Sequence, residues 1–145
     1  MRGFQRVLVP VDFSTGSRLL VETAGRVVGL GGKILLLHVV DFVPVVVEGA
    51  FGGYARPHEM RALHEESVQK LDEMKQAHAS LPIETEVLEA KTADGIIDAA
   101  KRFRAELMVV GTHDDRRIGP FSLGSVTQKL LRHSPCPVLV MPERE

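Results

Sequence analysis

The sequence predicts an α/β domain, an open, doubly wound, five-stranded parallel sheet with helices on both faces. Three observations carry this reading. Short runs rich in Val, Ile and Leu alternate along the chain with longer segments whose apolar residues recur at helical spacing. Most of those runs are apolar almost throughout, as in strands covered on both faces. The chain has 145 residues, 44% of them hydrophobic, which suits one such core and gives a single domain over residues 1–145.

The elements follow in order. Val7–Val11 reads as a buried strand that stops at Asp12, with Pro10 ending its ladder. Ser14 or Thr15 is placed to cap a helix carrying Leu20, Ala24, Val27 and Val28. The glycines at 29, 31 and 32 are expected to stop it. Lys33–Val40 is a second buried strand, and residues 41 to about 57 are irregular, with Pro44, Gly49, Gly52, Gly53 and Pro57. A long helix then aligns Met60, Leu63, Ser67, Leu71, Met74 and His78 on one face. Ile83–Leu88 interleaves polar residues, as an edge strand does. Thr92 is placed to cap a helix through Ile96, Ile97, Ala100 and Phe103. The strand Leu107–Val110, a polar loop, a helix from Leu123 to Leu131 and a last strand Pro137–Met141 complete the order.

Strands joined by helices pair in parallel through right-handed crossovers. Ligands of such sheets sit beyond the carboxyl ends of the strands, where the strand order reverses. Two orders satisfy the periodicity. In 2-1-3-4-5 the crevice lies between the first and third strands, lined by Asp12 and Glu89-Ala90-Lys91. In 3-2-1-4-5 it lies between the first and fourth, lined by Asp12 and Gly111-Thr112-His113. The stretch Gly111–Val126 favours the second. It leaves a strand at a glycine, carries Arg116 and Arg117, and enters a helix at Gly124-Ser125. Glycines allow close backbone approach, and first-turn amides have no intrahelical partner, so a helix start of this kind suits an anion.

Other features have simpler readings. His38, on an apolar strand, is expected to be a hydrogen-bonded core histidine. His113 is balanced between a ligand contact and a solvated loop residue. His58-Glu59 and His64-Glu65 lack the i, i+4 spacing of a zinc-protease helix and read as a solvated face. The glycines at 25, 29, 31 and 32 follow a helix rather than a strand, so they are not a dinucleotide fingerprint. Cys136, the single cysteine, reads as small buried packing; one cysteine forms no internal disulfide and suits a reducing cytoplasm. The apolar segment after the N-terminus is too short for a signal-peptide core, and no apolar run is long enough to span a membrane. With 18 basic against 19 acidic residues and no Trp, neither a broad nucleic-acid footprint nor a base-stacking surface is indicated.

The chain resembles the universal stress protein family over nearly its whole length. Val7-Leu8-Val9-Pro10-Val11-Asp12-Phe13-Ser14 is similar to the family's first strand and turn. Leu36-Leu37-His38-Val39-Val40 is similar to its second strand, and His133–Val140 to its closing segment. Gly111-Thr112-His113 and Leu123-Gly124-Ser125-Val126 match the two ends of its nucleotide loop. The resemblance implies the order 3-2-1-4-5, as in adenine nucleotide α-hydrolase-like folds, a homodimer, and in many members ATP bound between strands one and four.

Carried onto this sequence, the resemblance places adenine against Val39 and Val110, and ribose beside Asp12 and Gly111. The phosphates fall to the amides of Gly124, Ser125 and Val126 and to the Ser125 hydroxyl. Pro10, Val11, His113, Asp114 and Thr127 complete the cofactor-binding set, for ATP or another adenine nucleotide, with or without magnesium. The family's loop has a glycine, two residues, a second glycine, nine residues, then glycine and Ser/Thr. Gly111 and Gly124-Ser125 fit; the second glycine position holds Asp114, and Glu89–Thr92 replaces the usual Gly-Asp-Pro.

The expected function is therefore a cytoplasmic, nucleotide-binding stress-response module, dimeric through Pro137–Met141. The alternative is a nucleotide-free dimeric interaction protein whose phosphate loop is degraded by Asp114. A third class, a hydrolase of similar fold, has no acid/base pair, nucleophile dyad or metal cage to support it. At most slow ATP hydrolysis is expected, with no catalytic residue to name.

Overall fold

The computed structural model describes residues 3–41, 57–112 and 124–142. Nine elements alternate along the chain: β1 (Phe4–Pro10), α1 (Ser17–Val27), β2 (Val28–Asp41), α2 (Pro57–Ala77), β3 (Ile83–Ala90), α3 (Thr92–Phe103), β4 (Leu107–Gly111), α4 (Ser125–His133) and β5 (Val138–Met141). The strands form one sheet of order β3-β2-β1-β4-β5, every pair parallel. This is the 3-2-1-4-5 order, so the switch point lies between β1 and β4.

Side-chain alternation divides the core. Val7, Val9, Ile34, Leu36 and Val109 face one way, onto Leu20, Val21 and Ala24 of α1 and Leu71 of α2. Leu8, Leu35, Leu37, Met108 and Val110 face the other, onto Ile96, Ala99 and Ala100 of α3 and Leu130 of α4. The central strands are apolar on both faces because both faces are covered.

Several local expectations are corrected. The glycines after α1 do not stop it. The helix ends at Val27, and the chain turns directly into β2 at Val28, whose φ of −68° and ψ of 134° are already extended. The glycines serve the close approach of this segment to the start of β1. A Cβ on Gly3 would stand 2.7 Å from the Gly29 nitrogen, and Gly31 has a positive φ of +76°. The register slips here, with Phe4 opposite Val28 but Arg6 opposite Lys33.

Neither Ser14 nor Thr15 caps α1. Gly16 holds that position with no side-chain cap, while Asp12 Oδ1 accepts the Ser14 N–H at 2.9 Å. Thr92 is the first residue of α3, not its cap. Its hydroxyl and N–H both donate to Asp41 Oδ2, at 2.8 and 3.4 Å. A carboxylate from the neighbouring strand end thus performs the capping. On α2, Ser67 and Leu71 are buried as expected, but Leu63 is 49% exposed. Of the predicted irregular segment, residues 42–56 lie outside the described residues, and Pro57 begins α2.

Candidate functional site

A crevice of about 370 Å³ opens beyond the carboxyl ends of β1, β2 and β4. Its position follows from topology. At the β1/β4 switch point the crossovers leave in opposite directions, which opens a gap between the two strand ends.

The floor is apolar. Val39 and Val110 are buried in the α3/α4 core and reach the crevice, with Ile96 and Leu130 beside them. Gly95 permits the close seating of α3, since a Cβ there would stand 3.1 Å from Ala90 Cβ and 3.2 Å from Val39 Cγ1. The β1 side is formed by Pro10, Val11 and Asp12, and continues through Ser14, Thr15 and Gly16 to the start of α1. Asp12 is exposed.

The β4 side is Gly111 and Thr112, facing Val126 and Thr127 of α4. Thr127 is buried, and its hydroxyl donates to the Gly111 carbonyl at 2.8 Å. That bond fixes the first turn of α4 against the end of β4. Gly124 caps α4 through an extended backbone, φ −60° and ψ 155°, without a side-chain hydrogen bond.

Eight of the twelve residues predicted for the site therefore line one crevice: Pro10, Val11, Asp12, Val39, Val110 and Gly111, together with Val126 and Thr127. Gly124 and Ser125 stand at the start of α4, next to Val126, but outside the crevice wall itself. His113 and Asp114 lie outside the described residues. Sequence reasoning missed the Ser14–Gly16 turn, Thr92 and His38 as wall residues. The hydroxyl and glycine residues that follow Asp12-Phe13 were the available signal for the turn.

His38 is half-buried, with Nδ1 2.7 Å from the Val11 carbonyl oxygen. Burial lowers its pKa below the ordinary value; Lys70 acts in the same direction, while the Val11 carbonyl and Asp12 oppose it. It is hydrogen-bonded as expected, yet it also borders the crevice rather than lying sealed in the core.

Charge on the wall is sparse. Among the described residues lining the crevice, Asp12 and His38 are the titratable side chains. Neither α1 nor α4 has an acidic residue in its first turn. At the start of α3, Asp94 is engaged by Lys129 of α4 at 2.8 Å, which holds its carboxyl below the usual range. Among the described residues no group of three His, Cys, Asp or Glu could hold a metal ion. His64 Nδ1 instead lies 3.4 Å from Glu89 Oε1. Among the described residues no helix is long and apolar enough to cross a membrane.

An open, doubly wound parallel sheet of order 3-2-1-4-5, with an apolar-floored crevice at its switch point, defines the class of fold. Within that class the chain belongs to the universal stress protein family, whose family model matches residues 3–142. It is 29% identical to the universal stress protein MJ0531 of Methanocaldococcus jannaschii, over 98% of this chain and 85% of that protein. The structure of the universal stress protein UspA from Lactobacillus plantarum shares the fold with a TM-score of 0.74 at 22% identity, covering 97% of this chain and 99% of the other. A universal stress protein in complex with cAMP has a TM-score of 0.65 at 22% identity, covering 96% and 97% of the two chains. A family protein from Arabidopsis thaliana with AMP bound has a TM-score of 0.55 at 23% identity, covering 97% and 92%.

Proposed function

We propose that the crevice binds an adenine nucleotide, ATP among them, and that the protein is a cytoplasmic nucleotide-responsive module of the stress response. One observation carries the reading. An apolar floor formed by Val39 and Val110 continues, within one crevice, to the first turn of α4, which itself carries no acidic residue. A planar base suits the floor; phosphate suits the helix start. The related structures with cAMP and AMP bound support the same ligand class.

In this reading the base lies between Val39 and Val110, and the ribose meets Asp12 and Gly111. The phosphates meet the amides of Gly124, Ser125 and Val126, with the Ser125 hydroxyl. Thr127 acts differently from its neighbours. Its hydroxyl is committed to the Gly111 carbonyl, so it shapes the site by holding α4 in place. Asp12 is the one carboxylate among the described wall residues, and is the side chain that would help hold a magnesium ion brought by the phosphates. No residue is assigned a catalytic role.

Isothermal titration of ATP, ADP, AMP and cAMP, with and without magnesium, tests the reading. Ser125→Ala is expected to weaken the tightest of these about fivefold, the scale of one hydrogen bond. Binding unchanged by that substitution would place the phosphates elsewhere. No binding of any of the four would favour the second reading, a nucleotide-free dimeric interaction protein, for which Asp114 in the family's second glycine position is the supporting observation.

A further inference from the structure

The geometry points to His38 as a positioning residue for the crevice: its ring clamps the turn carrying Asp12 and Phe13 onto the end of β2, and ligand binding depends on that clamp. The last clause rests on the nucleotide reading; the clamp itself does not.

The hydrogen bond from His38 to Val11 has one possible polarity. A carbonyl oxygen only accepts, so Nδ1 carries the hydrogen, and the neutral ring keeps its lone pair at Nε2. At 2.7 Å the bond is short for N–H···O. The Val11 N–H donates to the Leu37 carbonyl at 2.8 Å. Val11 is thereby held through both of its backbone groups by consecutive residues of β2.

Beyond Val11 the chain must leave the sheet and cross the crevice mouth into α1. Phe13 does so with φ +63°, a left-handed conformation that a bulky residue rarely adopts. Its ring lies against His38, centroids 4.3 Å apart and planes at 37°, and Lys70 Nζ of α2 stands 5.1 Å from the Phe13 centroid. Asp12, between them, takes the Ser14 N–H. Three successive residues, Val11, Asp12 and Phe13, are thus each fixed by a named contact, two of them to His38. A leucine at position 38 would fill the space but leave the Val11 carbonyl without its donor.

The test uses the full chain. Nitrogen NMR of the native imidazole should show the Nδ1–H tautomer near neutral pH. His38→Phe keeps the ring contact and deletes the donor. The Val11 amide should then exchange about fivefold faster, and AMP should bind about fivefold more weakly, each the scale of one hydrogen bond. His38→Asn, which carries an N–H close to the position of Nδ1 but no ring for Phe13, should restore the slow Val11 exchange and part of the AMP affinity. An Nε2–H tautomer, Val11 exchange unchanged in His38→Phe, or unchanged AMP affinity in a chain whose native form binds AMP would each overturn the proposal. If the native chain does not bind AMP, the tightest binder among ATP, ADP and cAMP replaces it; if none of the four binds, the nucleotide reading falls while tautomer and exchange still decide the clamp. If His38→Phe does not fold, the tautomer and the His38→Asn exchange rates decide it.

Discussion

The Thr127 hydroxyl donates to the Gly111 carbonyl oxygen at 2.8 Å, joining the first turn of α4 to the last residue of β4. The bond spans the two ends of the segment that resembles the family's nucleotide loop. Whatever path that segment takes, its two anchors are tied to each other. The distance between the apolar floor and the α4 amides is therefore set by the scaffold.

Thr127→Val tests this tie. Valine keeps nearly the same shape and removes the donor from a buried position. Loss of the hydrogen bond, with the Gly111 carbonyl left wanting, should lower stability by about 1–2 kcal/mol in denaturant unfolding. Nucleotide affinity should fall as well, although Thr127 is not assigned a ligand contact. Thr127→Ser should keep most of both. Stability equal to the native chain in Thr127→Val would show that the bond contributes nothing.

Asp114 supplies a second test. It holds the position of the family's second loop glycine, in a segment outside the described residues. In the proposed function its carboxylate repels a polyphosphate, and its Cβ crowds the backbone approach. Asp114→Gly should raise ATP affinity more than AMP affinity, and the gain should shrink as salt is added. Titrations run without magnesium isolate the repulsion, because a cation held by Asp114 would reverse it. Equal or lower ATP affinity without magnesium would reject the effect.

The strand-and-helix order and the position of the crevice were legible because burial on both faces writes near-continuous apolar runs into the central strands. The boundaries were less legible. Gly29–Gly32 read as a helix stop because glycine is common there; its role in the close crossing of Gly3 and Gly29 depends on a contact between distant segments. Asp41 capping α3 through Thr92 is likewise a contact across 51 positions, which no local capping rule anticipates. His38 read as core because its neighbours are apolar. Only the turn after β1, folding back over the end of β2, reveals the carbonyl and the ring that it meets.

His38 also predicts a dependence of stability on pH. Burial is the main cause of its lowered pKa; Lys70 lowers it further, while the Val11 carbonyl and Asp12 raise it. The unfolded chain, with an ordinary histidine near about 6.5, therefore binds this proton more readily than the folded chain. By linkage, stability rises with pH between the folded and unfolded values. The contribution is present in full above about 6.5 and is lost as pH falls through the lower, folded value. Unfolding curves from pH 5 to 8 should show this slope in the native chain and a flatter one in His38→Asn, which cannot titrate. Identical slopes would assign the dependence to other groups.

The edge strand β5 yields the last prediction. Its four residues are each half-buried, Val138 and Val140 toward the α3/α4 core, Leu139 and Met141 toward the opposite one. Both side-chain faces are thus engaged, and what β5 offers outward is its backbone. The Pro137 carbonyl accepts the Met108 N–H at 3.0 Å, so it points toward β4. Along a strand, alternate residues turn their backbone groups to opposite sides, which sends those of Val138 and Val140 to the open edge. An unprotected apolar edge invites another strand, and a two-fold partner would pair β5 antiparallel with itself. This is the arrangement expected from the sequence for a homodimer through Pro137–Met141. Val140→Pro removes an outward N–H at an edge position where proline is tolerated, and should give a monomer whose unfolding temperature falls only a few degrees. Light scattering at micromolar concentration reads the outcome. A native monomer, or a dimer that survives Val140→Pro, would show that this edge is not the interface.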